Sequence, residues 1–430
     1  MKYLVILASL LTLGVSYSSQ SNAEMKYITN KIKLKKNNCK QLDPSLQWSQ
    51  GVREFLQSKI EENSTCIGTY SKEKDKKVAI FDWDDTVIKN GVGYLTNYYM
   101  LRKGLVLQPP KQDWRQLNKY LSDAAVTALN KACGTNIPAG HPLPTNTNIA
   151  CADEIISILS DKTSDGEAAF TGFDHRRMEA AYLWSAALST GYSSEQLSKI
   201  AREARKESLS APIGAKQKIG SKEVNAYNRY YPQIKDLIQT LQAHGIEVWI
   251  LSASPEPIVK VWSSSVGVDA KHTIGIRSIY NEKGKQTPDL YGCGDILDKD
   301  NSVIPTIDGK RCWANKVIFG VQGKEAWEQL SADRRQIIAG GDSVTDVTFV
   351  NDATVVSIAI NRNKPELMCR AYDGLFTKGG KWAVNKMFIE PFPKHNTYDC
   401  SNAYVNSDGT KGPVLRMDGT QIADQEDLIY

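Results

Sequence analysis

The apolar positions follow two alternating periods along the chain. Trp48, Val52, Phe55, Leu56 and Ile60 recur at i, i+4, i+7 and i+8, which predicts a helix opened by Asp43 as cap with Pro44 in its first turn. The segment Lys77–Phe81 ends in a continuous apolar run and predicts a short buried strand. Further helices are predicted over 113–132, 152–160 and 174–190, with a Gly/Pro/Asn/Thr-rich loop over 134–148. Ser193 and Gln196 form a capping-box pair ahead of Leu197, Ile200, Ala201 and Ala204. Beyond Tyr231-Pro232 the pattern becomes helix (Ile234, Leu237, Ile238, Leu241), Gly245 stop, and apolar strand over 246–251. Two more buried strands are predicted over 336–339 and 353–360. Fully apolar strands separated by helices imply a parallel sheet covered on both faces, so the fold class expected is α/β, a three-layer sandwich.

Composition narrows the class. The 430 residues are 41% hydrophobic and 23% charged, a globular balance, and a net charge of +5 without a dense basic stripe is no footprint for nucleic acid. The short basic run Lys31–Lys36 reads as a solvated segment. Lys2, the 13 apolar-rich residues from Tyr3 to Val15, and Ser21-Asn22-Ala23 have the layout of a secretory signal peptide over residues 1–23. That apolar run is too short to span a bilayer, which takes about 20 residues, and no membrane span is expected in the remainder. All eight cysteines lie after it, in four neighbour pairs (39/66, 133/151, 293/312 and 369/400) separated by 27, 18, 19 and 31 residues. An even count in an exported chain favours disulfides between neighbours. Zinc, the competing reading, lacks any Cys-x-x-Cys and any histidine cluster.

In a parallel sheet, ligands bind at the carboxyl ends of the strands. Three predicted strand ends carry polar residues: Asp82-Trp83-Asp84-Asp85-Thr86, Ser252-Ala253-Ser254, and Gly340-Gly341-Asp342-Ser343-Val344-Thr345-Asp346. Singly, an Asp-x-Asp-x-Thr is an ordinary strand-ending turn. The order acid, hydroxyl, acid resembles the haloacid dehalogenase superfamily of aspartate-nucleophile phosphatases, over Phe81–Thr86, Val248–Ser252, Lys316 and Gly341–Asp346. The resemblance implies a Rossmann-like core with an inserted helical cap. It assigns Asp82 as nucleophile, Asp84 as the acid and base that serves the leaving group and then water, and Ser252 as a phosphoryl hydrogen-bond donor. It implies Mg²⁺ held by Asp82, the Asp84 carbonyl and Asp342, with Asp346 adjacent. Asp85 is open to reading as a turn residue alone.

A lysine must help to neutralise the phosphoryl group. Lys316 lies 26 residues before Asp342, similar to the family's spacing, although Asn315 stands where Gly is usual; Lys310 and Lys324 are rivals. The stretch between Thr86 and Val248 is far longer than a sheet connection needs and resembles the cap. The expected organisation is an N-terminal helix and first strand over 24–90, the cap over 91–225, and the remaining core with a C-terminal extension over 226–430. Tyr230-Tyr231-Pro232 through Ser252-Ala253-Ser254-Pro255-Glu256-Pro257 resembles the exported phosphorylcholine phosphatase branch. Tyr94, Tyr98, Tyr99, Phe170, Phe173, Tyr182 and Trp184 are then either a cage for a quaternary ammonium or simply cap core. No Asp or Glu occurs from Thr86 to Gln112 to help such a cage. The expected function is exported, Mg²⁺-dependent phosphomonoester hydrolysis of a small substrate such as phosphorylcholine. A broad-specificity acid phosphatase and a non-catalytic binding protein on the same fold are the alternatives. Oligomeric state is left open.

Overall fold

Six strands pair in parallel into one sheet: β1 (Val78–Phe81), β2 (Glu247–Pro255), β3 (Thr273–Ile276), β4 (Ile338–Gly341), β5 (Val356–Asn361) and β6 (Trp382–Lys386). Their spatial order is β6-β5-β4-β1-β2-β3. The computed structural model describes residues 39–64 and 76–429. The expected signal peptide, the Lys31–Lys36 run and Cys66 therefore lie outside the described residues. Alternate residues of β1, β2, β4, β5 and β6 enter two different cores. Val78, Ile80, Leu251 and Val384 pack on one face, and Ala79, Phe81, Ile250 and Ile358 on the other. Both faces are covered, which is why the strands read as continuous apolar runs rather than alternating ones.

Register brings the strand ends together. Phe81 lies opposite both Ile250 and Gly340, so the residues that follow each strand emerge side by side. Between β1 and β2 the chain leaves the sheet and builds α2 (Val92–Arg102), α3 (Asp123–Cys133), α4 (Ile149–Ile158), α5 (Ala180–Ala187) and α6 (Ser194–Ser210). The first four of these helices contribute to a third apolar cluster that includes Leu101, Trp114, Leu129, Ile155 and Trp184, whereas α6 buries Leu197 and Ala201 in the second. Ser193 and Gln196 make the expected capping box at the start of α6. No described helix is long and apolar enough to cross a membrane.

Some predicted boundaries shift. The first helix, α1, spans Val52–Glu62 and not a stretch from Asp43. The Asp43 side chain instead accepts from the amide and hydroxyl of Ser45 in a local turn, and Gly51 at φ 74° separates that turn from the helix. The predicted helix over 113–132 splits into a short 3₁₀ turn over Trp114–Gln116 and α3, because Ser122 caps a new helix by accepting from the Ala125 amide. Disulfides join Cys133–Cys151, Cys293–Cys312 and Cys369–Cys400, all sequence neighbours, and Cys39 is also disulfide-bonded.

Candidate active site

β1 delivers Asp82 to the centre of the sheet edge, where its amide donates to the Gly340 carbonyl at 2.9 Å. Asp85 takes the left-handed conformation (φ 59°), and its carboxylate accepts from the Asn90 amide at 2.9 Å, so it shapes the turn. The Thr86 hydroxyl sits between Asp82 Oδ2 (3.1 Å) and Asp342 Oδ1 (2.9 Å). At the end of β4, Asp346 folds back so that its Oδ2 accepts from the amides of Asp342 and Ser343 at 2.9 and 3.0 Å. Gly341 permits this approach: a Cβ there would lie 2.5 Å from the Asp346 Cβ.

Lys310 occupies the space between the acids. Its fully buried Nζ donates to Asp82 Oδ1 and Asp346 Oδ1, each at 2.5 Å. Burial alone would lower its pKa, but Asp346 and Asp82 outweigh that and hold it above the ordinary lysine value. Burial and the nearby Asp346 push Asp82 the other way, well above the usual carboxylate range, with Lys310 opposing. Lys310 stands in the first turn of α9 (Asp308–Val317; α7 is Pro232–Ala243 and α8 Glu256–Ser263). Ile307, just before it, is held at φ 44°, a strained conformation for a β-branched residue. Its amide donates to the Thr345 carbonyl at 2.7 Å, and the Asp308 amide to the Arg176 carbonyl at 2.9 Å. Arg176, buried, also pairs with Asp308 and Glu366 at 3.2 Å each.

Lys316, the lysine favoured from spacing, is not in this site. Its Nζ donates to the Gly292 carbonyl at 2.8 Å, away from the aspartates. Six residues along a helix turn through about 600° and rise about 9 Å, so Lys310 and Lys316 face different sides. Lys324 is exposed. Ser252 is fully buried, and its hydroxyl accepts from the Ser254 amide at 3.1 Å. Ser254 rather than Ser252 lines the cavity, and its hydroxyl donates to Asp84 Oδ2 at 2.6 Å. Asp84 Oδ1 accepts from the Val92 amide at 2.8 Å. Burial raises the Asp84 pKa to about 6 against those two hydrogen bonds.

Arg362, which sequence reasoning missed, donates to Asp342 Oδ2 at 2.5 Å and lies 3.4 Å from Asp85. It immediately follows β5, a strand end to which the same rule points. Burial outweighs Arg362 and leaves the Asp342 pKa at about 6. The site thus gathers five acids (Asp82, Asp84, Asp85, Asp342, Asp346) around two cations, Lys310 and Arg362. Ligand oxygens of Asp82, Asp342 and Asp346 lie within 4.8 Å of one another and are buried. A hard-oxygen set with this excess of negative charge suits Mg²⁺. All three carboxylates have both oxygens engaged: Asp346 by Lys310 and two amides, Asp82 by Lys310 and Thr86, and Asp342 by Thr86 and Arg362.

A cavity of about 570 Å³ opens over these residues. Tyr94, Tyr98 and Tyr182 line one part of it, with Tyr94 and Tyr182 ring centroids 6.1 Å apart. Glu179 acts electrostatically on both rings, and burial followed by Asp161 raises its own pKa to about 7. Lys89 and Lys216 line another part. The remaining candidate aromatics lie elsewhere. Tyr99 packs with Arg102 and Lys103, and Trp184 packs against Trp114 at 5.8 Å in the cap core, with Phe170 in the same cluster. Phe173 packs on Tyr120 and His175.

Residues 164–350 match the family model of haloacid dehalogenase-like hydrolases. The chain contains a haloacid dehalogenase-like hydrolase domain. The matched span holds Ser252, Lys310, Asp342 and Asp346 and begins past Asp82. No curated protein matches the hydrolase. A conserved protein of unknown function from Anaerococcus prevotii shares its fold, at a TM-score of 0.59 and 18% identity over 80% of this chain and 97% of that one. A protein of unknown function from Bordetella pertussis is 16% identical over 73% and 99% of the two chains (TM-score 0.42). A substrate-bound phosphoserine phosphatase is 13% identical over 66% and 86% (TM-score 0.28). At those two scores the likeness bears no weight.

Proposed function

We propose that the hydrolase cleaves a small phosphomonoester through a covalent aspartyl-phosphate on Asp82. The observation that carries this reading is the Lys310 ammonium held between Asp82 and Asp346 beside a cavity that Asp84 lines. The Asp82 carboxylate oxygen attacks phosphorus and the ester P–O bond breaks, while protonated Asp84 gives its proton to the departing alkoxide. Asp84, now a carboxylate, takes a proton from water, which attacks the same phosphorus and releases orthophosphate and Asp82. Ser254 and the Val92 amide keep Asp84 turned to the cavity. Asp82 and Asp342 would hold Mg²⁺, which when bound would help to neutralise the phosphoryl oxygens.

For the substrate we favour phosphorylcholine, with choline as the leaving group. Tyr94, Tyr98 and Tyr182 offer aromatic faces, and Glu179, outside the acid-free stretch Thr86–Gln112, is close enough to influence Tyr94 and Tyr182. Lys89 and Lys216 on the same cavity favour a second reading, a broader phosphatase that also accepts anionic leaving groups. We place the activity outside the cytoplasm, as the signal-like N-terminus and the disulfides suggest. The test is Asp82→Asn with radiolabelled phosphorylcholine and glycerol 1-phosphate. Wild type should form an acid-stable, hydroxylamine-sensitive phosphoprotein that the variant does not, with turnover in the variant lower by about three orders of magnitude or more. Retained labelling or turnover in Asp82→Asn rejects the mechanism. Equal kcat/KM for the two esters rejects phosphorylcholine and leaves the broader reading.

A further inference from the structure

The favoured lysine of the sequence, Lys316, belongs to a different cavity. About 520 Å³ in volume, this cavity shares no lining residue with the catalytic one. It lies where the start of α8, the end of β3 and the middle of α9 meet. Trp313 forms part of its wall, with the Lys316 ammonium 5.0 Å and the Arg277 guanidinium 5.3 Å from the ring centroid. Tyr280, Tyr291 and Ile276 supply the rest of an apolar lining.

The charge around it is unbalanced. Glu256 is the one acid in the lining, and both its oxygens are engaged: Oε1 with Lys260 and Oε2 with Arg277, each at 2.5 Å. Lys260, Arg277 and Lys316 against Glu256 leave a net charge of +2. Lys316 forms no salt bridge among the described residues and donates only to the Gly292 carbonyl. Arg277 uses its Nε for Glu256, which leaves its Nη groups for another partner. A volume of this size, an aromatic wall and two under-used cations are the makings of a small-molecule site.

We propose that this cavity is a second ligand site, for a small organic anion with an aromatic or alicyclic body and one carboxylate or sulfonate. The anionic group meets Lys316 and the Nη groups of Arg277, and the body rests on Tyr280, Tyr291 and Ile276. A cation is disfavoured because Glu256 is already paired. The site does not depend on the phosphatase reading, because none of its residues takes part in that chemistry.

Isothermal titration of the full chain with 2-naphthoate and with neutral 2-naphthamide tests it, with Mg²⁺ and saturating orthophosphate present to fill the catalytic cavity. Naphthoate should bind at submillimolar concentration and the amide about tenfold more weakly, the size expected for a charge-assisted contact. Lys316→Met and Arg277→Met should each weaken naphthoate by about tenfold and leave the amide unchanged. Arg277→Met also frees Glu256, so Lys316→Met is the decisive variant if the other fails to fold. Any of three results overturns the site: no naphthoate binding at millimolar concentration, equal binding of acid and amide, or unchanged affinity in Lys316→Met. Hydrolysis of p-nitrophenyl phosphate by Lys316→Met, measured separately, bears on the catalytic reading alone.

Discussion

Two lysines on one helix separate the geometry of the site from the spacing argument that favoured Lys316. Lys310→Met keeps the length of the side chain and removes the charge between Asp82 and Asp346. Both carboxylates then face each other in a buried space without a cation. Removing one partner of a buried ion pair costs about 3–5 kcal/mol of stability, so the urea midpoint should fall clearly while the transition stays cooperative. Activity should fall further than stability. Losing one preorganised charge at a reacting group costs about 10²–10³ in kcat, and Asp82 also loses the cation that opposes the rise of its pKa. Lys316→Met removes one hydrogen bond to a carbonyl, worth about 0.5–1.5 kcal/mol, and should leave kcat within about twofold. The assay is steady-state hydrolysis of p-nitrophenyl phosphate with Mg²⁺, at a temperature where urea melts show each variant folded. Loss of activity in Lys316→Met, or more than about a tenth of wild-type kcat in folded Lys310→Met, refutes the assignment.

Other consequences can be checked alongside. EDTA should abolish hydrolysis and Mg²⁺ restore it, with Asp342→Ala raising the Mg²⁺ requirement; full activity in metal-free buffer contradicts the acid cluster as a cation site. Asp346→Ala should instead lower kcat at saturating Mg²⁺, because it unseats Lys310 and the Asp342 amide; a purely Mg²⁺-dependent defect counts against that division of roles. Thiol blocking of the denatured, unreduced protein should label no cysteine by mass spectrometry, and two labelled cysteines would upset the neighbour pairing. Glu179, with its pKa raised to about 7, ionises as pH rises through neutrality, so KM for phosphorylcholine should fall from pH 6 to 8. Glu179→Gln should flatten that trend, and glycerol 1-phosphate should not share it; a trend common to both esters removes Glu179 from substrate recognition.

What could be read from the sequence depended on how local the cause was. The apolar runs of β1, β2, β4 and β5 announced a two-sided sheet, and the polar residues after three of them come together in space as the strand-end rule requires. β3 was overlooked because Thr273-Ile274-Gly275-Ile276 is short and interrupted by glycine, and β6 because Trp382–Lys386 ends in polar residues. Helix starts failed where a side chain closed a local turn, as Asp43 does on Ser45. The lysine failed for a longer-range reason. The position of Lys310 depends on Ile307 being held at a positive φ while its amide bonds the Thr345 carbonyl, and on Arg176 anchoring Asp308 from 132 residues away. No spacing rule encodes contacts of that range. The cap aromatics divided for a similar reason: helix periodicity says which residues share a face, but not whether that face meets the cavity or the cap core.

The insertion between β1 and β2 has a consequence for the order in which the molecule takes shape. Phe81 sits in the central strand, yet its sheet neighbours Ile250 and Gly340 lie 169 and 259 residues further along. Contacts this distant in sequence make folding slow, because the chain between them must close before the pairing contributes anything. The inserted helices have their own apolar cluster and local contacts, so they can consolidate first and shorten the effective loop. Asp82 is therefore the earliest of the reacting residues to be synthesised and among the last to meet its partners. Until β4 docks, it has neither Lys310 nor Asp342 beside it, so the proposed nucleophile waits on the contacts most distant in sequence.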